Sequence, residues 1–407
     1  MKNVYDIRNQ DKLYFILSDK KANFNTELNT ISVGIFVNLY YEATSDWYFN
    51  RLLDISNFFH VYIISSKESI LKKAKQKGFF VIAKKNRGRD LSALLVAARE
   101  KILSYEYVCF VHDKNSLYMG DEDFVYNWRV FLYDNVLSSF TYVLNVINTF
   151  EQKSSIGLLV PPETPSLKDW KVYGKDLWSS DFEGVKQLIS DFHLNCNIDI
   201  NLPPVSIGTV FWCKVRALRV LFEYDWKYND FSEEPMPTSG TISHALERAL
   251  PYFVQSEGFE IGTIMTENEA RNRLSLHSDI IHNILPVVGK YFHANSIDDF
   301  SKGCVRLKKY EDLFNGNSDV YLFGAGKVGE KFLFQLLSFG YKPKGIIVSD
   351  AKKNPPNVGE VPVYPLSRIK KKELKILVCV GDKLKNEVFS LLQDKFNKNN
   401  IFYYLDL

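Results

Sequence analysis

The chain has 407 residues, of which 46% are hydrophobic and 24% are charged. These fractions exclude intrinsic disorder and collagen-like structure, and the length predicts two or three domains that each bury a core. Lys and Arg residues number 51 against 48 Asp and Glu residues, and the resulting net charge of +3 is too small to indicate nucleic-acid binding. We therefore expect no nucleic-acid partner.

The sequence also bears on cellular location. No apolar run reaches the roughly 18 residues that a membrane-spanning helix needs, and the first residues lack the apolar segment of a signal peptide. Five cysteines are scattered along the chain without a C-x-x-C pair, which excludes a zinc ribbon or a disulfide framework. We predict a cytoplasmic protein, and its Lys-rich C-terminal end is compatible with the inner face of the membrane.

The first two-thirds of the chain show an α/β pattern. Residues 1–30 have no clear period and are interpreted as an N-terminal lead-in. In residues 31–265, near-continuous apolar runs alternate with stretches of helical spacing. This alternation predicts a doubly wound, mostly parallel α/β sheet. Its first four strands are expected at 31–41, 60–65, 79–83 and 107–111.

The remaining chain has a different organisation. Residues 266–315 are interpreted as a linker or helical region. In residues 316–407 a short strand is followed by a G-x-G-x-x-G pattern at 324–329 and a helix, and Asp350 closes the next strand. This predicts a smaller Rossmann-like α/β domain. About 90 residues are few for a complete dinucleotide domain, and such glycines also serve close packing, so bound NAD is not expected.

Polar residues follow several predicted strands. They include Ser65, the K-K-N-R-G-R-D segment at 84–90 and the H-D-K segment at 112–114. Because ligands bind beyond the carboxyl ends of parallel strands, we expect these segments to converge on one cleft. The cations of 84–90 suit a nucleotide diphosphate. Alternatively, this segment is a charged surface turn in which Asp90 caps a helix.

The H-D-K segment has several chemical interpretations. Asp113 could ligate Mn²⁺ or Mg²⁺ on a diphosphate, and Lys114 could neutralise the same phosphates without a metal. His112 could donate to a phosphate oxygen. The alternative is an ordinary polar turn after a strand.

Two later segments also carry candidate residues. In G-T-V-F-W at 208–212, one of Phe211 and Trp212 is expected to line the cleft, because neighbours in a strand face opposite ways. The alternative is a core strand. In the second segment, Glu233 and Glu234 precede a predicted helix, where a carboxylate could serve as general base for an acceptor hydroxyl.

That predicted helix carries further polar residues. His244, Glu247 and Arg248 can share one of its faces. The alternative is an amphipathic helix with solvated charges and a capping acid.

Taken in order, six motifs resemble those of the rhamnan synthesis protein F family of bacterial polysaccharide enzymes. They are N-R-G-R-D at 86–90, H-D-K at 112–114, W-R at 128–129, G-T-V-F-W at 208–212, E-P at 234–235 and G-T-I-S-H-A-L-E-R at 240–248. The resemblance implies a GT-A-like glycosyltransferase domain that binds a UDP or dTDP sugar. The Asp-x-Asp metal motif of such enzymes is missing, since Lys114 stands where its second acid would be.

The resemblance assigns roles to residues of this chain. The implied donor-binding residues are Asn38, Tyr40, Ser65, Asn86, Arg89, Asp90, His112, Asp113 and Lys114. The expected acceptor-binding residues are Trp128, Arg129, Trp212, His244, Glu247 and Arg248. Glu234 is the expected base, with Glu233 as the substitute.

The predicted function is inverting transfer of a rhamnosyl or hexofuranosyl (galactofuranosyl-type) unit to a cell-surface polysaccharide such as capsule, O-antigen or cell-wall rhamnan. The acceptor would be a glycan or a lipid-linked glycan, and the latter implies peripheral membrane association. One alternative is a non-catalytic nucleotide-binding scaffold of a polysaccharide-assembly complex. Another is an NAD-dependent sugar oxidoreductase, which the absence of a Tyr-x-x-x-Lys pair in the C-terminal unit disfavours.

Overall fold

The computed structural model describes residues 13–22, 31–113, 122–163, 178–196, 198–200, 208–284, 286–287, 296–314, 319–370 and 373–404. The chain divides into two compact units, residues 1–273 and residues 274–407. Each contains a mainly parallel sheet with helices, so the predicted α/β class is confirmed.

The larger unit contains an eight-stranded sheet. In chain order its strands are β1 (Tyr14–Leu17), β2 (Val33–Asn38), β3 (His60–Ser65), β4 (Phe80–Ala83), β5 (Tyr107–His112), β6 (Ile156–Val160), β7 (Phe211–Lys214) and β8 (Glu260–Thr266). Their spatial order is β1-β8-β6-β7-β5-β2-β3-β4. Neighbouring strands run parallel except at β7, which is antiparallel to β5 and β6. The predicted doubly wound, mostly parallel sheet is thus present.

Strand β1 comes from the segment interpreted as a lead-in. It pairs in parallel with β8 and places Tyr14 opposite Thr263. Four residues are too few to show a period, and as an edge strand β1 leaves Tyr14 and Ile16 exposed. Sequence patterning does not detect it for these reasons.

Helices cover both faces of this sheet. Those that begin in the larger unit are α1 (Glu42–Ser56), α2 (Glu68–Gln76), α3 (Arg89–Ser92), α4 (Arg99–Ile102), α5 (Glu122–Leu137), α6 (Phe140–Gln152), α7 (Phe182–Asp191), α8 (Arg219–Glu223), α9 (Ile242–Ser256) and α10 (Glu267–Asp279). Residues of α1, α2, α5 and α6 form one core with the sheet, and residues of α3, α7, α8 and α9 form the other.

The two cores explain the continuous apolar runs of the sequence. In β2, Phe36 belongs to one core, and Ile35 and Val37 belong to the other. A strand that is buried on both faces has no position for a polar side chain, so its sequence does not alternate. The same two-sided burial extends along β6 and β7.

No single described helix is long and apolar enough to span a membrane. Helices α5 and α6 meet that criterion of length and composition only as a pair, and they are bent by 57°.

The smaller unit contains a six-stranded sheet. Its strands are β9 (Val320–Phe323), β10 (Gly345–Val348), β11 (Asn357–Val358), β12 (Val361–Pro365), β13 (Lys375–Val378) and β14 (Ile401–Tyr403), and its helices are α11 (Ile297–Phe314), α12 (Lys327–Ser338) and α13 (Asp382–Gln393). The spatial order is β11-β12-β10-β9-β13-β14, with β11 antiparallel to β12. The parallel strands follow the Rossmann order 3-2-1-4-5.

The G-x-G-x-x-G segment forms the turn from β9 to α12. Gly324 has a φ of +112°, which only glycine adopts readily. A Cβ at Gly329 would overlap the carbonyl oxygen of Gly324, whereas a Cβ at Gly326 would meet open space. Close packing therefore accounts for two of the three glycines.

Candidate functional site

Strands β2 to β5 all run in the same direction, and their carboxyl ends lie together at one edge of the sheet, here called the carboxyl edge. The last residues of β2 and β5, Asn38 and His112, are paired in the register. The last residues of β3 and β4, Ser65 and Ala83, are also paired. The polar residues that follow these strands are therefore neighbours, as the sequence predicts.

Asp113 joins the ends of β2 and β5. Its Oδ2 atom accepts the backbone N–H groups of Tyr40 and Tyr41, each at 2.7 Å, and its own N–H donates to the Asn38 carbonyl at 3.0 Å. Burial raises the pKa of Asp113 to about 6, although the two N–H donors oppose that rise. The carboxyl group thus holds the Tyr40–Tyr41 turn in place.

His112 connects β5 to helix α3. Its Nδ1 atom lies 2.9 Å from the Asp113 carbonyl oxygen. Because a carbonyl oxygen can only accept, Nδ1 carries the hydrogen in this contact. The Nε2 atom lies 3.9 Å from Oδ2 of Asp90, and both side chains are largely buried. A protonated His112 would therefore form an ion pair with Asp90.

The turn after β4 uses left-handed backbone conformations. Gly88 has a φ of +67° and Arg89 a φ of +44°. A Cβ at Gly88 would lie 2.5 Å from Cβ of Phe231, so glycine is required there for packing as well as for conformation. The turn directs Arg87 and Arg89 toward the loop at 229–236.

Two arginine–glutamate pairs connect this turn to that loop. Arg87 donates through Nη1 to Glu233 at 2.9 Å and through Nε to the Phe231 carbonyl at 2.7 Å. Arg89 donates through Nε to Oε1 of Glu234 at 3.3 Å.

The same loop is held at a third point. The Nη2 atom of Arg89 donates to the Met236 carbonyl at 2.9 Å. The other oxygen of Glu234, Oε2, accepts the Met236 backbone N–H at 3.0 Å. Glu234 is therefore fixed at both oxygens, and 26% of its side chain is exposed, against 79% for Glu233.

The pKa values of two further residues, Tyr41 and Lys84, depend on the charges of these site residues. Burial raises the pKa of the Tyr41 phenol, and the charge of Asp113 adds to this while that of Arg89 opposes it. Burial lowers the pKa of Lys84 to about 8, against the opposing charges of Asp90 and Glu234. Tyr41 and Lys84 thus belong to the same charged cluster as the two motifs predicted from the sequence.

A second group of residues surrounds the start of α9. Asp181 is fully buried and accepts the Gly240 N–H at 2.6 Å and the Ser239 hydroxyl at 3.0 Å. Nη1 of Arg248 lies 3.1 Å from Oδ2 of Asp181. This buried ion pair fastens the 239–240 turn to α9.

The α9 face predicted from the sequence is present. Nδ1 of His244 lies 2.8 Å from the Thr241 hydroxyl, and Glu247 accepts the Gly208 N–H at 2.8 Å. Burial lowers the pKa of His244. The charge of Arg89 also acts on this imidazole. The residues Asp181, His244, Glu247 and Arg248, here called the α9 group, therefore adjoin the turn after β4.

Several predicted site residues lie elsewhere or have other partners. Trp212 is fully buried and donates through Nε1 to the Val136 carbonyl at 2.9 Å. Phe211 is also fully buried. The expectation that one of the two lines the cleft is wrong, because β7 lies between two strands and helices cover both of its faces. Ser65 is fully buried, and its hydroxyl accepts the Lys67 N–H at 3.0 Å within a local turn.

The other predicted residues differ in exposure. Asn86 is exposed in the turn after β4, and Tyr40 is 37% exposed with Lys67 over its ring. Trp128 is half-buried and packs against the α1 side of the core. The guanidinium of Arg129 lies 5.7 Å from the Trp47 ring centroid, and its charge acts on Asp113. Lys114 lies outside the described residues.

Sequence reasoning missed three contributors. Lys84 is grouped with the other cations of the 84–90 segment without a role of its own, Tyr41 is placed in the strand predicted at 31–41, and Asp181 is in none of the six motifs. The position of Lys84 directly after the strand predicted at 79–83 is a usable signal. No local pattern marks Asp181, since its partners lie more than 50 residues away.

The described residues do not form a ready-made metal site. None of them belongs to a group of three or more His, Cys, Asp or Glu side chains placed to hold a metal ion. Oδ2 of Asp113 is already used by two backbone N–H groups. Among the described residues there is therefore no preformed set of ligands for a resident Mn²⁺ or Mg²⁺ ion.

The fold and this cluster define an α/β protein with a group of charged residues at the carboxyl edge of its larger sheet. The model of the family described as rhamnan synthesis protein F matches residues 1–259. The chain belongs to the rhamnan synthesis protein F family, as the six motifs predict.

Two relatives are similar over a shorter stretch. Both are named uncharacterized protein WxcX and come from two strains of Xanthomonas campestris pv. campestris, one of them strain B100. Each is 26% identical over 193 residues, which is 47% of this chain and 25% of the relative. The chain thus spans about a quarter of the length of these relatives.

Proposed function

We propose that the charged cluster at the carboxyl edge is the active site of an inverting glycosyltransferase. It would transfer a rhamnosyl or hexofuranosyl unit from a UDP or dTDP sugar to a glycan or lipid-linked glycan. The observation that carries the proposal is the Arg89–Glu234 pair, which places a cation suited to a diphosphate beside a carboxylate suited to a general base. Family membership supports the polysaccharide context.

On the donor side, the turn after β4 and the end of β5 would receive the nucleotide diphosphate. Arg89 would stabilise the negative charge that grows on the leaving diphosphate. His112 would add a donor in its protonated form, with Asp90 as the counter-charge at 3.9 Å. Lys114 belongs to the proposal on sequence grounds alone.

Glu234 is the better candidate for the base. Its orientation is fixed by Arg89 and by the Met236 N–H, whereas Glu233 projects into solvent and pairs with Arg87. The Glu234 carboxylate would take the proton of the acceptor hydroxyl as its oxygen attacks the anomeric carbon. The bond from that carbon to the diphosphate oxygen breaks, the electron pair leaves with the nucleotide, and the configuration inverts.

The Arg89–Glu234 contact would also determine the order in which the donor and the acceptor bind. The donor diphosphate competes with Glu234 for the guanidinium, so donor binding weakens the contact at Oε1. A lone pair of that oxygen then becomes available to the acceptor hydroxyl. Donor binding before acceptor binding is the expected sequence.

On the acceptor side, the α9 group would bind the glycan. His244 is half-buried, and Glu247 and Arg248 line the same helix face. Arg129, whose charge acts on Asp113, and Trp128 are the remaining candidates for acceptor binding. A lipid-linked acceptor would bring the protein to the inner face of the membrane.

No step of this mechanism passes through a metal ion, since the part of the chain that the structure describes holds no preformed set of metal ligands. Arg89 and Lys114 would neutralise the diphosphate, and His112 would donate a hydrogen bond to it. Nucleotide binding should therefore be measured both with and without added Mn²⁺ or Mg²⁺.

The first test measures thermal stabilisation by UDP, dTDP, GDP, CMP and NAD, with and without Mn²⁺. A ligand at a hundredfold excess over Kd stabilises by about 2.7 kcal/mol. Selective stabilisation by UDP or dTDP, followed by slow donor hydrolysis without acceptor, is the expected result. Binding without turnover on any acceptor would favour the scaffold, and stabilisation by NAD alone would overturn the proposal.

A further inference from the structure

Lys84 occupies a defined position at the carboxyl edge. Its backbone N–H donates to the Ser65 carbonyl at 3.0 Å, which extends the β3–β4 pairing by one residue. Its Nζ atom donates to the Lys85 carbonyl at 2.8 Å and to the Arg87 carbonyl at 3.4 Å. The side chain therefore folds over the inside of its own turn instead of extending into solvent.

The cations of this turn differ in what they contact. Arg87 donates to the Phe231 carbonyl and to Glu233, and Arg89 donates to Glu234 and the Met236 carbonyl. Both arginines thus hold the 229–236 loop. An ammonium group has three N–H donors, and only two of those of Lys84 have acceptors among the described residues.

We propose that Lys84 is a donor-binding residue whose ammonium contacts the diphosphate of the nucleotide sugar between Asp90 and Glu234. This inference rests on the proposed function. It adds one donor-binding residue, whose protonation is linked to nucleotide binding. The two carboxylates act on Lys84 from α3 and from the 229–236 loop. The turn itself contributes the carbonyl oxygens of Lys85 and Arg87, which accept from Nζ, and β3 contributes the Ser65 carbonyl, which accepts the backbone N–H of Lys84.

Binding of the diphosphate is then linked to protonation. The pKa of Lys84 is lowered to about 8 by burial, so the free protein loses this charge as the pH rises above neutrality. Phosphate charge beside the amine would favour the ammonium form. Nucleotide binding near pH 8 should therefore take up protons, and nucleotide affinity should fall above that pH.

The test uses the full chain with UDP and dTDP as probes in isothermal titration calorimetry at pH 7 and pH 9. The variants are Lys84→Met, Lys84→Arg and the matched control Lys77→Met, an exposed lysine just after α2. Arginine keeps its charge at both pH values. We expect Lys84→Met to weaken binding at pH 7 about tenfold to a hundredfold. The nucleotide affinity of the wild type should fall between pH 7 and pH 9, whereas that of Lys84→Arg should stay the same.

A second measurement counts protons. Titrations at pH 8 in two buffers of different ionisation enthalpy should show uptake of roughly half a proton per nucleotide by the wild type. The Lys84→Arg variant should show none, and Lys77→Met should match the wild type. Circular dichroism checks folding, and if Lys84→Met does not fold, the Lys84→Arg comparison decides.

The outcomes separate the two proposals. If the wild type binds UDP or dTDP but the Lys84 variants bind equally well with equal proton uptake, the Lys84 assignment is wrong and the glycosyltransferase proposal stands. If the wild type binds neither nucleotide at any pH, both are overturned.

Discussion

Arg89 and Glu234 lie 145 residues apart in the sequence, and their side chains meet at 3.3 Å between Nε and Oε1. A second pair, Arg87 and Glu233, repeats the contact at 2.9 Å. Together they fasten the turn after β4 to the loop that precedes α9. Arg89, which would bind the donor, and Glu234, which would activate the acceptor, thus hold each other in position.

Glu234→Gln should abolish sugar transfer while nucleotide binding survives. The amide oxygen can still accept from Arg89, but an amide cannot take a proton from the acceptor, and loss of a general base costs about 10²–10⁴ in rate. Donor turnover and UDP affinity, measured on the same preparation, check this. Full activity in Glu234→Gln, or selective loss in Glu233→Gln, would contradict the assignment.

Gly88→Ala should destabilise the larger unit and weaken nucleotide binding. The substitution forces a Cβ into left-handed backbone, at about 1–2 kcal/mol, and against the Phe231 side chain. Gly78→Ala is the control, since Gly78 has a φ of +91° with nothing within 4 Å. Urea unfolding followed by tryptophan fluorescence reports on this unit, because all six tryptophans precede residue 274. Equal losses in both variants would show that packing against Phe231 contributes nothing.

Asp113→Ala should destabilise the larger unit more than Asp113→Asn at pH 7. Alanine leaves the N–H groups of Tyr40 and Tyr41 without their acceptor, at about 1–3 kcal/mol for each buried donor. Asparagine keeps a carbonyl oxygen in that position. Urea midpoints of the two variants, again by tryptophan fluorescence, give the comparison.

The same residue should shape the pH dependence of stability. The folded pKa of Asp113, about 6, lies above the ordinary carboxyl value, so between about pH 4 and pH 6 the folded state holds the proton more tightly than the unfolded chain. The contribution of Asp113 to the free energy of unfolding therefore decreases as the pH rises through this window. Asp113→Asn should remove that decrease, and an unchanged slope would show that Asp113 does not cause it.

Asp181→Ala should lower the free energy of unfolding of the larger unit by about 3–5 kcal/mol, because it leaves the Arg248 charge buried without its partner. Glu183→Ala is the matched control: its pair with Lys186 is exposed at 3.2 Å, and such pairs contribute about 0–1 kcal/mol. Urea unfolding compares the two. Similar losses would mean that Asp181 does not hold the start of α9.

Local patterns in the sequence determined a large part of this protein. The apolar runs of β2, β3 and β5 identify strands that are buried on both faces, because such burial leaves no polar position. The polar residues at the ends of β4 and β5, namely Asn86, His112 and Asp113, follow directly, since parallel strands end at a common edge. The glycine pattern at 324–329, which lies between a predicted strand and a predicted helix, identifies the smaller Rossmann-like unit.

The tertiary structure decided which of the polar residues meet and in what state. Only the fold brings Glu234 to Arg89 and Asp181 to Arg248, because contacts between distant segments leave no periodic trace in either segment. It also decided that Trp212 is core, since the burial of a strand depends on its neighbours in the sheet. The lowered pKa of Lys84 has the same origin, because desolvation is set by the atoms that surround a group in the folded chain.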